Sequence, residues 1–326
     1  MIMKKLFLFL CLMAMCWLPT NAEAVRLGDA DLDGNVNISD VTTLIDYLLS
    51  GNWSDDSDWE NRGDADLDGN VNISDVTSLI DYLLSGTWPG APVTQTFTIE
   101  EVSFKMIAVE GGTFLMGGTG NMISAYEKPI HQVSLSSFAI GETEVTQALW
   151  EAVMGELPST ITAENKNPKY PVVCVTWNAV QEFLTELNEM TGMTFRLLTE
   201  AEWEYAARGG NKSLGYTYSG SNIIDEVGWY YDNSGDHLHQ VATLLPNELG
   251  IYDMTGNAAE WCNDRFGYYY YSESPSINPQ GPDTPYDRSI RGVYGYSYNE
   301  YNNRLTARTG NGPQGSRHYV GFRLAL

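Results

Sequence analysis

Apolar positions recur at helical spacing in two places near the start of the chain. Val41, Leu44, Ile45, Leu48 and Leu49 share one face, and Val76, Leu79, Ile80, Leu83 and Leu84 repeat the arrangement. Gly51 and Gly86 close the two helices. Neither stripe is core enough alone, so the pattern predicts two short helices packed on each other. Beyond Thr87 to Glu100, which holds two prolines and no helical period, the rhythm changes. Val102 to Met116 alternates as strands do, broken at Gly111-Gly112. Val145 to Met154 and Trp177 to Met190 return to helical spacing, the latter through Ala179, Phe183, Leu184 and Leu187. Thr199 with Glu202 three residues later forms a capping box that opens a further helix. After Arg208, glycine, asparagine and aromatic residues dominate. A stretch of that length with few periodic elements is unusual in a compact domain, so its packing must rest on buried rings and polar backbone bonds. The expected class is α+β: a small all-α module over 25–90, a linker over 91–101 and a larger, loop-rich domain over 102–326.

Charge sharpens the first module. The 326-residue chain carries a formal charge of −24, which argues against nucleic acid and anionic membrane surfaces as partners. Residues 25–92 hold 14 acidic residues against Arg26 and Arg62, a net of −12, half of the total. Residues 28–53 and 63–88 are copies offset by 35 residues that differ at two positions. Each copy places aspartates at loop positions one, three, five and twelve: Asp29, Asp31, Asp33 and Asp40, then Asp64, Asp66, Asp68 and Asp75. Gly34 and Gly69 at position six permit the sharp turn, and Asn35 and Asn70 at position seven offer backbone carbonyls. Hard oxygen donors at that spacing converge on calcium, so two calcium ions are expected. A solvated acidic turn would not repeat the spacing twice.

At the N-terminus, Lys4-Lys5, the apolar run Leu6 to Leu18 and Ala22-Glu23-Ala24 read as a signal peptide over 1–24, cleaved before Val25. Cys16 as a lipid-anchored cysteine is the other reading. No later apolar run reaches membrane length, so no membrane span is expected and the mature chain reads as secreted. Cys174 and Cys262 remain; they are either a close pair in an oxidising compartment or two buried thiols.

The duplicated loop and helix resembles the type I dockerin module over roughly residues 26–88, including aspartate at position twelve where an ordinary EF-hand has glutamate. The resemblance implies a cohesin-like partner on a scaffold protein. Positions ten and eleven, which help to choose the partner in that family, are Ile38-Ser39 and Ile73-Ser74 here. The family usually carries a small polar pair there.

Six ordered motifs mark the larger domain: AVEGGTFLMGG (108–118), ETEVTQALWEAVMG (142–155), PVVCVTWNAVQEF (171–183), RLLTEAEWEYAARGG (196–210), LGIYDMTGNAAEW (249–261) and VGFRLAL (320–326). Together they resemble the sulfatase-modifying-factor family, which includes the formylglycine-generating enzymes. That resemblance implies a C-type-lectin-like topology. It also implies a Cys-x4-Cys pair that binds copper and oxidises a substrate cysteine. Alignment on Ala307-Arg308 puts that pair at Gly295 and Glu300, and no cysteine follows Cys262. Glycine and glutamate replace neither a thiolate nucleophile nor a soft ligand, so neither copper nor formylglycine generation is expected. A family calcium site is carried over onto Asn257 and Glu260, with Ala259 and Leu198 departing from the family pattern.

Where the cysteine pair is missing lies a tract rich in tyrosine and asparagine. Tyr294, Tyr296, Tyr298, Glu300 and Tyr301 are its candidate ligand contacts, for a glycan or a peptide. A glycine- and tyrosine-rich core segment is the plainer reading. The histidines give a weak zinc hint in His237-x-His239, for which a surface loop is the simpler account, and no esterase elbow or phosphate loop occurs. Three functions remain: a non-catalytic binding domain, a family-type oxidoreductase rearranged around Cys174 or Cys262, or an inert scaffold carrying the dockerin.

Overall fold

The computed structural model describes residues 30–31, 36–50, 63, 65, 71–85, 93–120, 123–284, 286–292 and 303–326. The chain divides into two compact units, Met1–Ala91 and Pro92–Leu326. The expected signal peptide lies outside the described residues, as does most of both acidic loops: Asp29, Asp33, Asn35, Asp64, Asp66, Asp68 and Asn70.

The first unit contains α1 (Ile38–Ser50) and α2 (Ile73–Ser85). They bury Val41, Leu44, Val76 and Leu79 with Ala30 and Ala65, and Ile45, Leu48, Val71 and Leu83 pack around them. The apolar stripes therefore meet each other as their spacing requires. Asp40 and Asp75 are buried at the helix starts. Asp40 accepts from the backbone N–H of Asn37 (2.7 Å) and Asp31 (3.1 Å), and Asp75 from that of Asn72 (2.6 Å). Burial pushes the Asp40 carboxyl up, and the nearby charge of Asp31 adds to the rise.

The second unit opens with an antiparallel hairpin, β1 (Thr94–Ile99) and β2 (Val102–Val109), paired from Thr94↔Ile107 to Ile99↔Val102. The linker expected over 91–101 is thus mostly a strand. Phe97 stacks on Phe104 (5.4 Å) and meets Phe195 edge-on (5.1 Å). The alternating threonines of β1 are β-branched residues suited to a half-exposed edge. The hairpin continues through β5 (Phe138–Gly141) and β11 (Leu324–Ala325) to β6 (Arg196–Leu197), in sheet order β1-β2-β5-β11-β6. The short β3 (Gly112–Met116) and β4 (His131–Leu135) form a separate antiparallel pair. A second sheet has order β10-β7-β8-β9, from β7 (Ala259–Arg265), β8 (Arg288–Arg291), β9 (Thr309–Asn311) and β10 (Val320–Phe322), with β10 parallel to β7.

Three predicted helices appear where expected. The helix α3 (Gln147–Met154) is capped by Thr146, α4 (Trp177–Thr191) by Thr176, and α5 (Glu200–Ala207) by the Thr199–Glu202 capping box. Trp150 of α3 stacks on Phe183 of α4 at 5.2 Å, and Phe322 of β10 closes on both. A second core gathers Trp203, Tyr205 and Ala206 of α5 with Ile107, Val133, Ile251 and Cys262. The one-turn α6 (Ile224–Val227) is the regular helix between Arg208 and β7. Cys174 and Cys262 are both free thiols, so the close pair expected from sequence is not a disulfide. Cys262 is sealed in the core, whereas Cys174 lies at a cleft beside His318.

Candidate functional site

The tyrosine tract runs from β8 to the segment before β9. Residues 293–302, and with them Tyr294, Tyr296, Tyr298, Glu300 and Tyr301, lie outside the described residues. The frame that carries the tract is described on both sides. Gly292, at the entrance, has φ +63, and a Cβ there would come 3.1 Å from the Trp203 ring. Immediately before it, Arg291 is fully buried. Its guanidinium donates to Glu204 Oε2 (2.6 Å), Glu200 Oε1 (3.3 Å), the Tyr271 hydroxyl (3.2 Å) and the Leu305 carbonyl (2.8 Å). One side chain therefore ties the start of the tract to its end.

The exit is anchored as firmly. Arg304 donates to Glu127 Oε1 at 3.0 Å and the Thr306 hydroxyl to Glu127 Oε2 at 2.6 Å. Arg308 forks onto Glu200 and reaches the carbonyls of Tyr126 (2.8 Å) and Gly267 (3.1 Å), with its plane 4.4 Å from the Tyr271 ring. Helix α5 organises this frame because its capping box fixes where Glu200 and Glu204 fall, one turn apart on the same face. The guanidinium charges of Arg308 and Arg208, joined by Arg291, outweigh burial and hold the Glu200 and Glu204 carboxyls below the usual range. A ring of paired charges, charge-assisted and hydrogen-bonded except at Arg291 Nε, gives a rigid base for the tract. Sequence inspection missed these glutamates: nothing in a helical Glu-Ala-Glu-Trp-Glu string separates buried anchors from solvated charge.

Asn257 and Glu260 lie in a second buried centre. Gly256 has φ +104, and a Cβ there would strike the Trp229 carbonyl at 2.2 Å. Asn257 Oδ1 accepts from His239 N (3.0 Å), and its amide donates to Glu144 Oε2 (3.0 Å). Glu260 takes Arg323 on both oxygens, at 2.8 Å to Oε1 and 3.2 Å to Oε2, and Trp203 Nε1 at 2.8 Å. Each expected calcium donor thus already serves a protein donor. Among the described residues no three His, Cys, Asp or Glu side chains are gathered as a metal cluster. Glu144 and Asp253, which sequence reasoning passed over, crowd the same buried centre. Burial first, then the neighbouring Asp253 and Glu260, pushes Glu144 up, and burial pushes Asp253 up to about 6. The His237-x-His239 hint divides: His237 is exposed, while His239 stacks on Trp229 at 3.7 Å and contacts the Ser234 carbonyl.

These acids give the domain a pH signature. Burial, with Glu200 nearby, pushes Asp264 up to about 8. The folded state therefore keeps protons that the unfolded chain releases near its ordinary carboxylate value, so stability falls as pH rises through about 6 and then about 8. Glu200 and Glu204 act oppositely, their contribution being lost as pH falls below the usual carboxylate range. Thermal unfolding of the chain should show the large-domain midpoint declining from mildly acidic to alkaline pH. Asp264→Asn, which mimics the protonated acid, should flatten the upper part of that slope. A wild-type slope in the Asp264→Asn variant would remove Asp264 as its source.

Fold and frame together define a class: a dockerin module followed by a loop-rich domain of the formylglycine-generating-enzyme type. A profile described as the sulfatase-modifying factor enzyme 1-like domain matches residues 95–326, and one described as the Dockerin type I domain matches 27–84. The chain belongs to the sulfatase-modifying factor enzyme 1-like family. It is 29% identical to the formylglycine-generating enzyme of Streptomyces coelicolor, over 67% of this chain and 88% of that protein. It is 34% identical to chaperone protein LppX of Paenibacillus barcinonensis, over 53% of this chain and 75% of the relative. Among solved structures, Treponema denticola variable protein 1 superposes with a TM-score of 0.65 at 30% identity, over 72% of this chain and 99% of that one. PvdO from Pseudomonas aeruginosa does so with 0.60 at 27% identity, over 73% and 98%.

Proposed function

We propose that this chain is an exported, dockerin-borne recognition protein whose large domain binds a glycan or peptide through the Tyr294–Tyr301 tract and does not oxidise thiols. The observation that carries this reading is chemical. The positions aligned with the Cys-x4-Cys pair are Gly295 and Glu300, and no cysteine follows Cys262 in the sequence. Cys262 is buried, and burial pushes its thiol well up, which suits packing and not nucleophilic attack. The Arg291, Arg304 and Arg308 anchors support the reading because a recognition loop gains affinity when its ends are fixed beforehand.

The dockerin supplies attachment to a cohesin-like scaffold partner. Ile38 and Ile73, at equivalent helix starts, are 68% and 70% exposed, and Ser39 lies beside Ile38. Paired exposed isoleucines suit an apolar contact, presented twice, on that partner. Two calcium ions would be held by the acidic loops, of which Asp31 and Asp40 already lie within repulsive reach of each other. A large-domain calcium on Asn257 and Glu260, as the family resemblance implies, would have to displace the protein donors that both side chains now serve.

Glycan and peptide arrays probed with the full chain test the recognition reading. Tyr296→Ala and Tyr298→Ala should each weaken binding by roughly 5–10-fold, the ~1 kcal/mol of a stacked ring. Unchanged binding in both variants would clear the tract of any role. Incubation with copper and a sulfatase-motif peptide should leave the peptide mass unchanged; a mass change at its cysteine would restore the oxidoreductase reading.

A further inference from the structure

A cleft of about 450 Å3 whose lining includes none of the tract's anchors is formed in part by Gln147, Thr160, Asn165, Cys174 and His318. Cys174 precedes α4 and His318 precedes β10, so two motifs distant in sequence meet here. Cys174 Sγ stands 3.8 Å from His318 Nδ1. The backbone at Cys174 has φ +63, a left-handed conformation that residues with a Cβ adopt only where their surroundings enforce it. Those surroundings are Val173 and Val175, both buried, which fix the chain on either side while Cys174 lines the cleft.

Two chemistries compete for a thiol beside an imidazole. A nucleophile needs thiolate near neutral pH, yet burial pushes the Cys174 thiol up, opposed in part by a hydrogen bond with Thr160. A metal ion offsets that cost, since its charge stabilises the thiolate as coordination displaces the thiol proton. The spacing fits one ion. At zinc–sulfur and zinc–nitrogen lengths of about 2.3 Å and about 2.05 Å, donors 3.8 Å apart subtend an angle of about 120° at the metal, roughly 10° wider than tetrahedral and closed to that value by a few tenths of an ångström of movement. Among the described lining residues there is no carboxylate, and a thiolate–imidazole pair selects zinc-like ions over calcium or magnesium.

We propose that Cys174 and His318 bind one divalent cation of the zinc class in an open site within this cleft. The remaining coordination positions are left to water or to a donor on a ligand entering the cleft. The site draws on thiolate and imidazole donors, where the acidic loops of the dockerin offer oxygen, and its lining residues do not include Gly295 or Glu300, the positions aligned with the cysteine pair.

Cobalt(II) is the probe, added to the reduced full chain with calcium saturating the oxygen sites. Sulfur-to-cobalt charge transfer in the near ultraviolet reports only thiolate ligation. The expected result is a band that saturates near one equivalent and is displaced by zinc. It should be absent in Cys174→Ser, retained in Cys262→Ser, and require at least ~10-fold more cobalt in His318→Ala. Unfolding midpoints identify any variant that has lost its fold, and Cys174→Ala then serves as the second replacement. No thiolate band, a band surviving both Cys174 variants, or one indifferent to His318→Ala would each overturn the site.

Discussion

Arg291→Ala should destabilise the large domain by about 3–5 kcal/mol, because it strands Glu200 and Glu204 as buried charges with reduced compensation. Arg291 is completely buried and bonds both carboxylates, the Tyr271 hydroxyl and the Leu305 carbonyl. For a unit of this size the thermal midpoint should fall by on the order of 10 °C. The loss should also reach the tract, since the same guanidinium holds the start of the loop to its end. Arg291→Lys should recover only part of it, because a single ammonium cannot reproduce the planar fork across four acceptors. A wild-type midpoint for Arg291→Ala would mean that Arg308 and Arg208 alone neutralise the two glutamates, and the frame described above would need revision.

Calcium removal should have the second large effect, and in the other unit. The helices α1 and α2 bury a core of few residues, and the loops that precede them crowd aspartates whose repulsion opposes closure. A chelator should therefore abolish the helical circular dichroism contributed by residues 38–50 and 73–85. Unchanged ellipticity would sink the calcium assignment. Asp40→Ala with Asp75→Ala should mimic the chelator even in calcium. It removes position twelve from both loops together with the buried acceptors for Asn37 N and Asn72 N, hydrogen bonds to a charged group worth about 1.5–3 kcal/mol apiece.

Much of the architecture was legible in the chain because it rests on local signals. The stripes of α1 and α2, the Thr199–Glu202 box and the breaks at Gly111-Gly112 act over four residues or fewer, so their spacing is visible without a fold. The strand over Thr94–Ile99 was not, since its partner β2 supplies the apolar surface that makes threonine-rich polarity compatible with a sheet edge. Glu144 illustrates the same limit for sites. In sequence it is one of many acids; in space it sits beneath Ala258 N and the Asn257 amide with Asp253 and Glu260 close by.

The sequence alone determined the two-part organisation, the duplicated acidic loops and the absence of the family's cysteine pair. These are matters of residue identity and short spacing, which folding does not alter. Tertiary structure decided which charges are anchors and which thiol is accessible. Arg291 joins Glu204 across 87 residues, Arg323 joins Glu260 across 63, and Cys174 meets His318 across 144. Contacts of that range depend on how two sheets and α5 are brought together, and no local pattern encodes them.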